Sequence, residues 1–397
     1  MSEFDEFAEA LLGQLAVEIN EEKDIMHLAE KAKEDLKSKI RFSDIQEITE
    51  EVLPSLKIKV EEFLGVKVPQ SKIEYPELKE LKKIKGDKVF SDIESKEFVS
   101  KLFTGVANED KKEIARLMKE DTAKYLVYST YAIQYISKIS TTYGDYLDGM
   151  IFLNKFILSR YPLIILHKQG EPYDAKFDII NSGYRGAIKM TILEEMVHSV
   201  QKNLQEINAK AAMQVNKINE ELARKILSLD NTVVNKLTEY LQLQAVPDEF
   251  PFAKKANLFF FLNPDHFLIE QIGPDVMTFT HVEIDPKISE SIPELLGIYK
   301  KWLIPIQQHH SVFTIMEGMA AFALENILKE DIDFQNYLTT YIGTDFTSYQ
   351  VRKDMGKEFT KLVYEKLDKD AFKQMIEDPP STREIKEPQL YLKRIKQ

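Results

Sequence analysis

Glu194-Glu195-Met196-Val197-His198 sits inside the most regular stretch of the chain, and its reading decides the fold. From Ala187 onward, Ile192, Val200, Leu204, Ile207, Ala211, Val215, Ile218, Leu222, Ile226 and Leu229 step mostly by threes and fours, with charges between them. This spacing predicts one long amphipathic helix, broken at Asp230–Asn231 and resumed from Thr232. Residues i and i+4 share a helix face, so Glu194 and His198 point the same way while Glu195 sits one step round.

Working outward, Phe4, Phe7, Leu11, Leu12, Leu15 and Ile19 follow helical spacing, and Lys31–Ile40 and Ile45–Val52 continue it. Gly65–Pro76 breaks the pattern: Val66, Val68, Ile73 and Tyr75 alternate around Pro69 and Ser71, as in short strands or an extended linker. Lys79–Lys88 reads as a charged connector, and helix resumes near Lys96 and runs through Arg116–Met118. Tyr125–Ser140 is ambiguous, because β-branched and aromatic residues crowd a stretch of helical length. Gly144, Asp148 and Gly149 mark turns, Met150–Leu153 and Leu163–Leu166 read as strands, and Asn257–Leu262 and Met277–Ile284 as a strand pair. Helix is expected over Glu294–Lys329 and Val351–Leu367. The tail Asp378–Tyr391, with Pro379, Pro380 and Pro388, is expected to be extended or turned. The sum is a helix-rich α+β protein with a small sheet.

Composition narrows the function. The chain has 397 residues, 44% hydrophobic and 30% charged, enough for a sizeable core in one large domain or two. Lys+Arg 53 against Asp+Glu 65 gives a net charge of −12, which argues against a broad nucleic-acid-binding face. No apolar run reaches the ~18 residues of a membrane span, so no membrane partner is expected. Met1–Gly13 is acidic, unlike a signal peptide, and the absence of Cys removes disulfides and thiolate ligands, which points to the cytoplasm. Gly-rich phosphate loops and a Gly-x-Ser-x-Gly elbow are absent too. Any metal must be held by carboxylates and the 7 His residues.

Two places carry such groups. In the quintet, two ligands one turn apart with a Glu after the first give the layout of a metalloprotease zinc helix, with Glu194 where the first His would stand. Taken alone it also fits a solvated face. The second is Glu317-Gly318-Met319-Ala320-Ala321-Phe322, where small residues allow a close helix approach beside Glu317. His310 lies two turns before Glu317 on the same face, placed to donate a hydrogen bond in a transition state or simply to cap a turn. A rival reading is a di-iron carboxylate bundle built on Glu195–His198, for which Asp24-Ile25-Met26-His27 is the nearest second motif.

In order, Gly149–Asn154, Glu194–Gln201, Glu317–Ala320 and Pro379-Pro380-Ser381-Thr382-Arg383-Glu384-Ile385 with Pro388 and Tyr391-Leu392 resemble the blocks of gluzincin-type zinc metallopeptidases. The similarity is greatest to a branch whose zinc helix continues His-(Ala/Ser)-(Leu/Val)-Gln and whose tail reads Pro-x-Ser-Thr-Glu; Arg383 stands at that Glu. The likeness spans about Tyr143–Leu392. It implies a zincin-like domain over 91–397, an insertion at Lys202–Ser291, and a helical extension over 1–90. It makes Glu194, His198 and Glu317 metal ligands and Glu195 the general base, with His310 as a further catalytic candidate. The implied ion is Zn²⁺; because two carboxylates neutralise it and are harder ligands, Mn²⁺ or Fe²⁺, or loss of the ion, are alternatives. The implied partner is a peptide or protein substrate laid along Gly149–Asn154 as an edge strand. Either hydrolysis or binding without catalysis is compatible with this set, and the oligomeric state is not indicated.

Overall fold

A computed structural model describes residues 3–18, 20–36, 41–86, 94–170, 172–247, 250–264, 282–341 and 348–396. The N-terminal part holds helices α1 (Glu3–Glu18), α2 (Asn20–Asp35) and α3 (Ile45–Leu64), strand β1 (Lys72–Glu74), then α4 (Leu78–Gly86), α5 (Lys96–Ala107), α6 (Lys111–Glu120) and α7 (Thr122–Ile139). Strands β2 (Gly144–Leu147) and β3 (Met150–Leu153) lead into α8 (Lys155–Gln169), α9 (Asp174–Val200), α10 (Lys202–Leu227), α11 (Asn231–Tyr240) and α12 (Pro251–Leu262). The C-terminal part holds α13 (Pro286–Ser291), α14 (Leu295–Ile327), α15 (Ile332–Thr340), α16 (Ser348–Leu367), α17 (Asp370–Glu377), α18 (Thr382–Lys386) and α19 (Pro388–Arg394). The fold is α+β and helix-rich, as the periodicity predicts. Among the described residues no helix is long and apolar enough to cross a membrane.

The sheet has the order β1-β3-β2, with β1 parallel and β2 antiparallel to β3. Asp148 and Gly149 both take positive φ (50° and 82°), which gives the two-residue hairpin turn its twist. β3 is therefore the central strand, paired on both sides, and the expectation that Gly149–Asn154 offers a free edge is corrected; β2 is the edge strand on that side. A Cβ on Gly144 would come within 2.3 Å of Thr191 Cγ2, so glycine lets β2 lie directly on α9. The fully buried Asn154 pins the arrangement. Its Nδ2 donates to Ile139 O and Thr142 O, both at 2.7 Å, and its Oδ1 accepts from Phe156 N at the start of α8.

Two hydrophobic cores form. One gathers α3, the sheet, α8, α9, α16 and α17, and the other gathers α5, α6, α7, α11 and α12. The long helices α10 and α14 run through both. Leu295 and Ile298 of α14 belong to the second core, whereas Trp302 and Ile315 belong to the first. Val52, Leu56 and Val60 of α3 pack in the same core as Ile188 and Ile192 of α9.

Several local expectations are corrected. The long helix is two helices: α9 ends at Val200 and α10 starts at Lys202, with Gln201 between them (φ −92°, ψ 26°). The apolar spacing continues across the break because both helices pack into one core. Leu163–Leu166 is helical in α8 and Asn257–Leu262 in α12; each holds a short apolar run whose lack of alternation leaves strand and buried helix indistinguishable. Val282–Ile284 is not strand, and Met277–His281 lies outside the described residues. The charged connector is α4 as far as Gly86, and the helix expected from Lys96 through Met118 is two, α5 and α6, with Asp110 capping the start of α6. The tail is helical: Ser381 and Glu384 form a capping box on α18, and Pro388 takes a first-turn position in α19, where its missing N–H costs nothing.

Candidate metal centre

The last turns of α9 carry Glu194, Glu195 and His198 toward α14, where Glu317 is met. One ligand atom each from Glu194, His198 and Glu317 lie within 4.8 Å of one another, and Glu317 Oε1 is 3.8 Å from His198 Nε2. Two glycine contacts set a third helix, α16, against α14 at the same level. A Cβ on Gly318 would lie 2.1 Å from the carbonyl carbon of Gly356, and one on Gly356 would lie 1.9 Å from Thr314 O. The backbones of α14 and α16 therefore touch beside Glu317.

Gln201, the residue that breaks the helix, orients the imidazole. Its Nε2 donates to Met316 O at 3.0 Å, which turns its Oε1 toward His198 Nδ1 at 2.8 Å. An amide oxygen only accepts, so Nδ1 carries the proton and Nε2 presents its lone pair to Glu317 and Glu194. His198 O accepts from Gln201 N at 3.1 Å and also from Gln205 Nε2 at 2.9 Å. The donor set thus has the tautomer and the convergence that a divalent ion needs.

A cation already lies among these donors. Lys353 of α16 hydrogen-bonds Glu194 Oε1, and its Nζ is 4.0 Å from Glu317 Oε2. Burial works against the ammonium, but Glu194 and Glu317 outweigh it and hold its pKa above the ordinary lysine range. Burial likewise opposes the Glu194 charge, and Lys353 prevails, lowering its pKa. Glu195 goes the other way. Burial first, then Asp145, Glu194 and Glu317, push its carboxyl well above the usual range. Its neighbour Asp145 on β2 is paired with the buried Lys85 of α4 at 2.5 Å.

His310 is buried on α14, and its Nδ1 takes a hydrogen bond from Arg352 at 2.9 Å, so its bond goes to α16 and not to the Glu194–His198–Glu317 group. Burial, Arg352 and His309 keep it neutral, with a pKa well below the usual histidine value. Asp24 and His27 of the di-iron reading are exposed on α2, and among the described residues the three-donor group is the one cluster of metal-type ligands. A cleft of about 850 Å³ between α2, α4, α5 and α8 includes none of these donors.

Gln201 closes the His-Ser-Val-Gln block, three residues after His198, but its role in orienting the imidazole is not legible there. Asp145, Lys85 and Lys353 have no local signal, Lys353 lying three residues before a mid-helix glycine. Comparison with known proteins adds no identification: no family model, no curated protein and no solved structure matches the chain.

Proposed function

We propose that the chain is a metal-dependent, peptidase-like protein of the zincin type, with Glu194, His198 and Glu317 as ligands of one divalent ion and Glu195 as the proton carrier. The observation behind this reading is the convergence of the three donors, with the His198 lone pair turned inward by Gln201. When bound, such an ion supplies Lewis-acid polarisation of a peptide carbonyl and of water. The chain's own groups do the rest. Glu195 would take a proton from water and pass it to the leaving amine. A peptide would be held by strand addition along β2, whose partner β3 is already occupied on its other side by β1.

The test is cleavage of an unbiased peptide library with Zn²⁺, Mn²⁺ and Fe²⁺ supplied in turn. Glu195→Gln should keep the ion and abolish cleavage; cleavage that persists in the variant refutes the assignment. A second reading, a peptide-binding protein without hydrolysis, is favoured by the Lys353–Glu194 bond, because an ammonium neutralises a ligand without activating water. Peptide retention by the wild type without turnover under all three metals would select it.

A further inference from the structure

The Glu194–Lys353 pair is built into the helix crossing. Lys353 lies one turn before Gly356, and the Gly318–Gly356 contact fixes α16 against α14 beside Glu317. The side chains of Lys353 and Glu194 are both less than a fifth exposed. Lys353 faces the carboxylates of Glu194 and Glu317, the two oxygen donors a metal ion would seek. An oxygen bonded to a divalent ion at ~2.1 Å cannot at the same time keep an ammonium at hydrogen-bond distance on the same side, where cation repels cation.

We infer that Lys353 is a tethered cation occupying the ion's place, so that the lysine and a divalent metal compete for Glu194 and Glu317. The inference rests on the cation-site reading above and adds to it that metal loading requires expulsion of Lys353 from the donor set. Replacing the first histidine of the zinc helix by Glu194 then has a local logic: a carboxylate pairs with an ammonium, as a neutral imidazole does not.

The experiment is zinc titration of the full chain in competition with a chromophoric chelator, for wild type, Lys353→Met and Lys353→Met/His198→Ala. Methionine keeps the stem and removes the charge. Lys353→Met should bind one Zn²⁺ per chain on the order of ten- to a hundredfold tighter than wild type, the gain from freeing a charge-assisted hydrogen bond. The added His198→Ala should abolish that gain. Equal, tight binding by wild type and Lys353→Met overturns the inference and leaves the cation site standing; no binding by Lys353→Met overturns both. Should Lys353→Met fail to fold for want of a partner for Glu194, the double variant Glu194→His/Lys353→Met removes both charges. It should also bind zinc more tightly than wild type, and failure to do so overturns the inference.

Discussion

Gly356→Ala should destabilise the protein although alanine is the better helix former. In an unpacked helix the exchange gains about 1 kcal/mol. Here the new Cβ would meet Thr314 O at 1.9 Å, Thr314 C at 2.9 Å and Gly318 Cα at 3.0 Å, all main-chain atoms with no rotamer to escape into. Ordinary contact starts at 3.4 Å, so the two backbones must part by about 1.5 Å along that line. Parting them loosens Ile315, Met319, Phe359 and Val363, which are buried at the same crossing. Overpacking typically costs about 1–3 kcal/mol, and against rigid backbone the upper end applies, so after the propensity gain a net loss of about 2 kcal/mol is expected. Urea unfolding followed by circular dichroism reads it as a lower midpoint at unchanged slope. A midpoint at or above that of wild type, as helix propensity alone would give, would refute the close crossing and with it the placement of Lys353 against Glu194.

Gln201→Leu removes the acceptor that fixes the His198 tautomer, and zinc affinity should fall by roughly ten- to a hundredfold in the Lys353→Met background. An unchanged affinity there would mean His198 is oriented by something else. Asn154→Ala loses two buried side-chain donations and a helix cap, for an expected cost of about 2–4 kcal/mol in the same urea assay; a loss below about 0.5 kcal/mol would contradict it. Asp333 is partly buried, which raises its pKa, but bonds from Lys189 and Ser182 and the charges of Lys189 and Arg185 prevail and depress it. A depressed carboxylate contributes stability fully present above the unfolded value of 3.8 and lost as pH falls below it toward the folded pKa. Asp333→Asn should therefore lower stability at neutral pH and flatten its acid dependence below about pH 4, whereas parallel pH profiles would show the charge to be inert.

The helical character of α9, α14 and α16 is legible because each shows an amphipathic or small-residue pattern at helical spacing, and β3 because a short apolar run ends at a capping Asn154. Apolar runs such as Leu163–Leu166 and Asn257–Leu262 mislead because their helices pack into cores on several sides and lose the polar face that marks the period. The break at Gln201 leaves the spacing from Val200 to Leu204 intact; it is set by a bond to Met316 O, 115 residues away. Glu194, Glu195 and His198 are visible through local spacing, and Glu317 through the order of the blocks. Lys353 is not, since its bond to Glu194 spans 159 residues and depends on where two glycines let helices meet. The edge strand was misassigned for the same kind of reason: hydrophobicity locates β3, but only pairing with both β1 and β2 makes it central.

The central claim, that Glu194, His198 and Glu317 form one cation site, is tested most directly by zinc stoichiometry at saturation. It is to be measured in the Lys353→Met chain and in that chain carrying either His198→Ala or Glu317→Ala. One tightly held ion per chain is expected, and either added substitution should abolish it, because three protein ligands are the minimum for such a site. An ion held equally well without His198 and without Glu317 would contradict it, and would place the metal elsewhere on the chain.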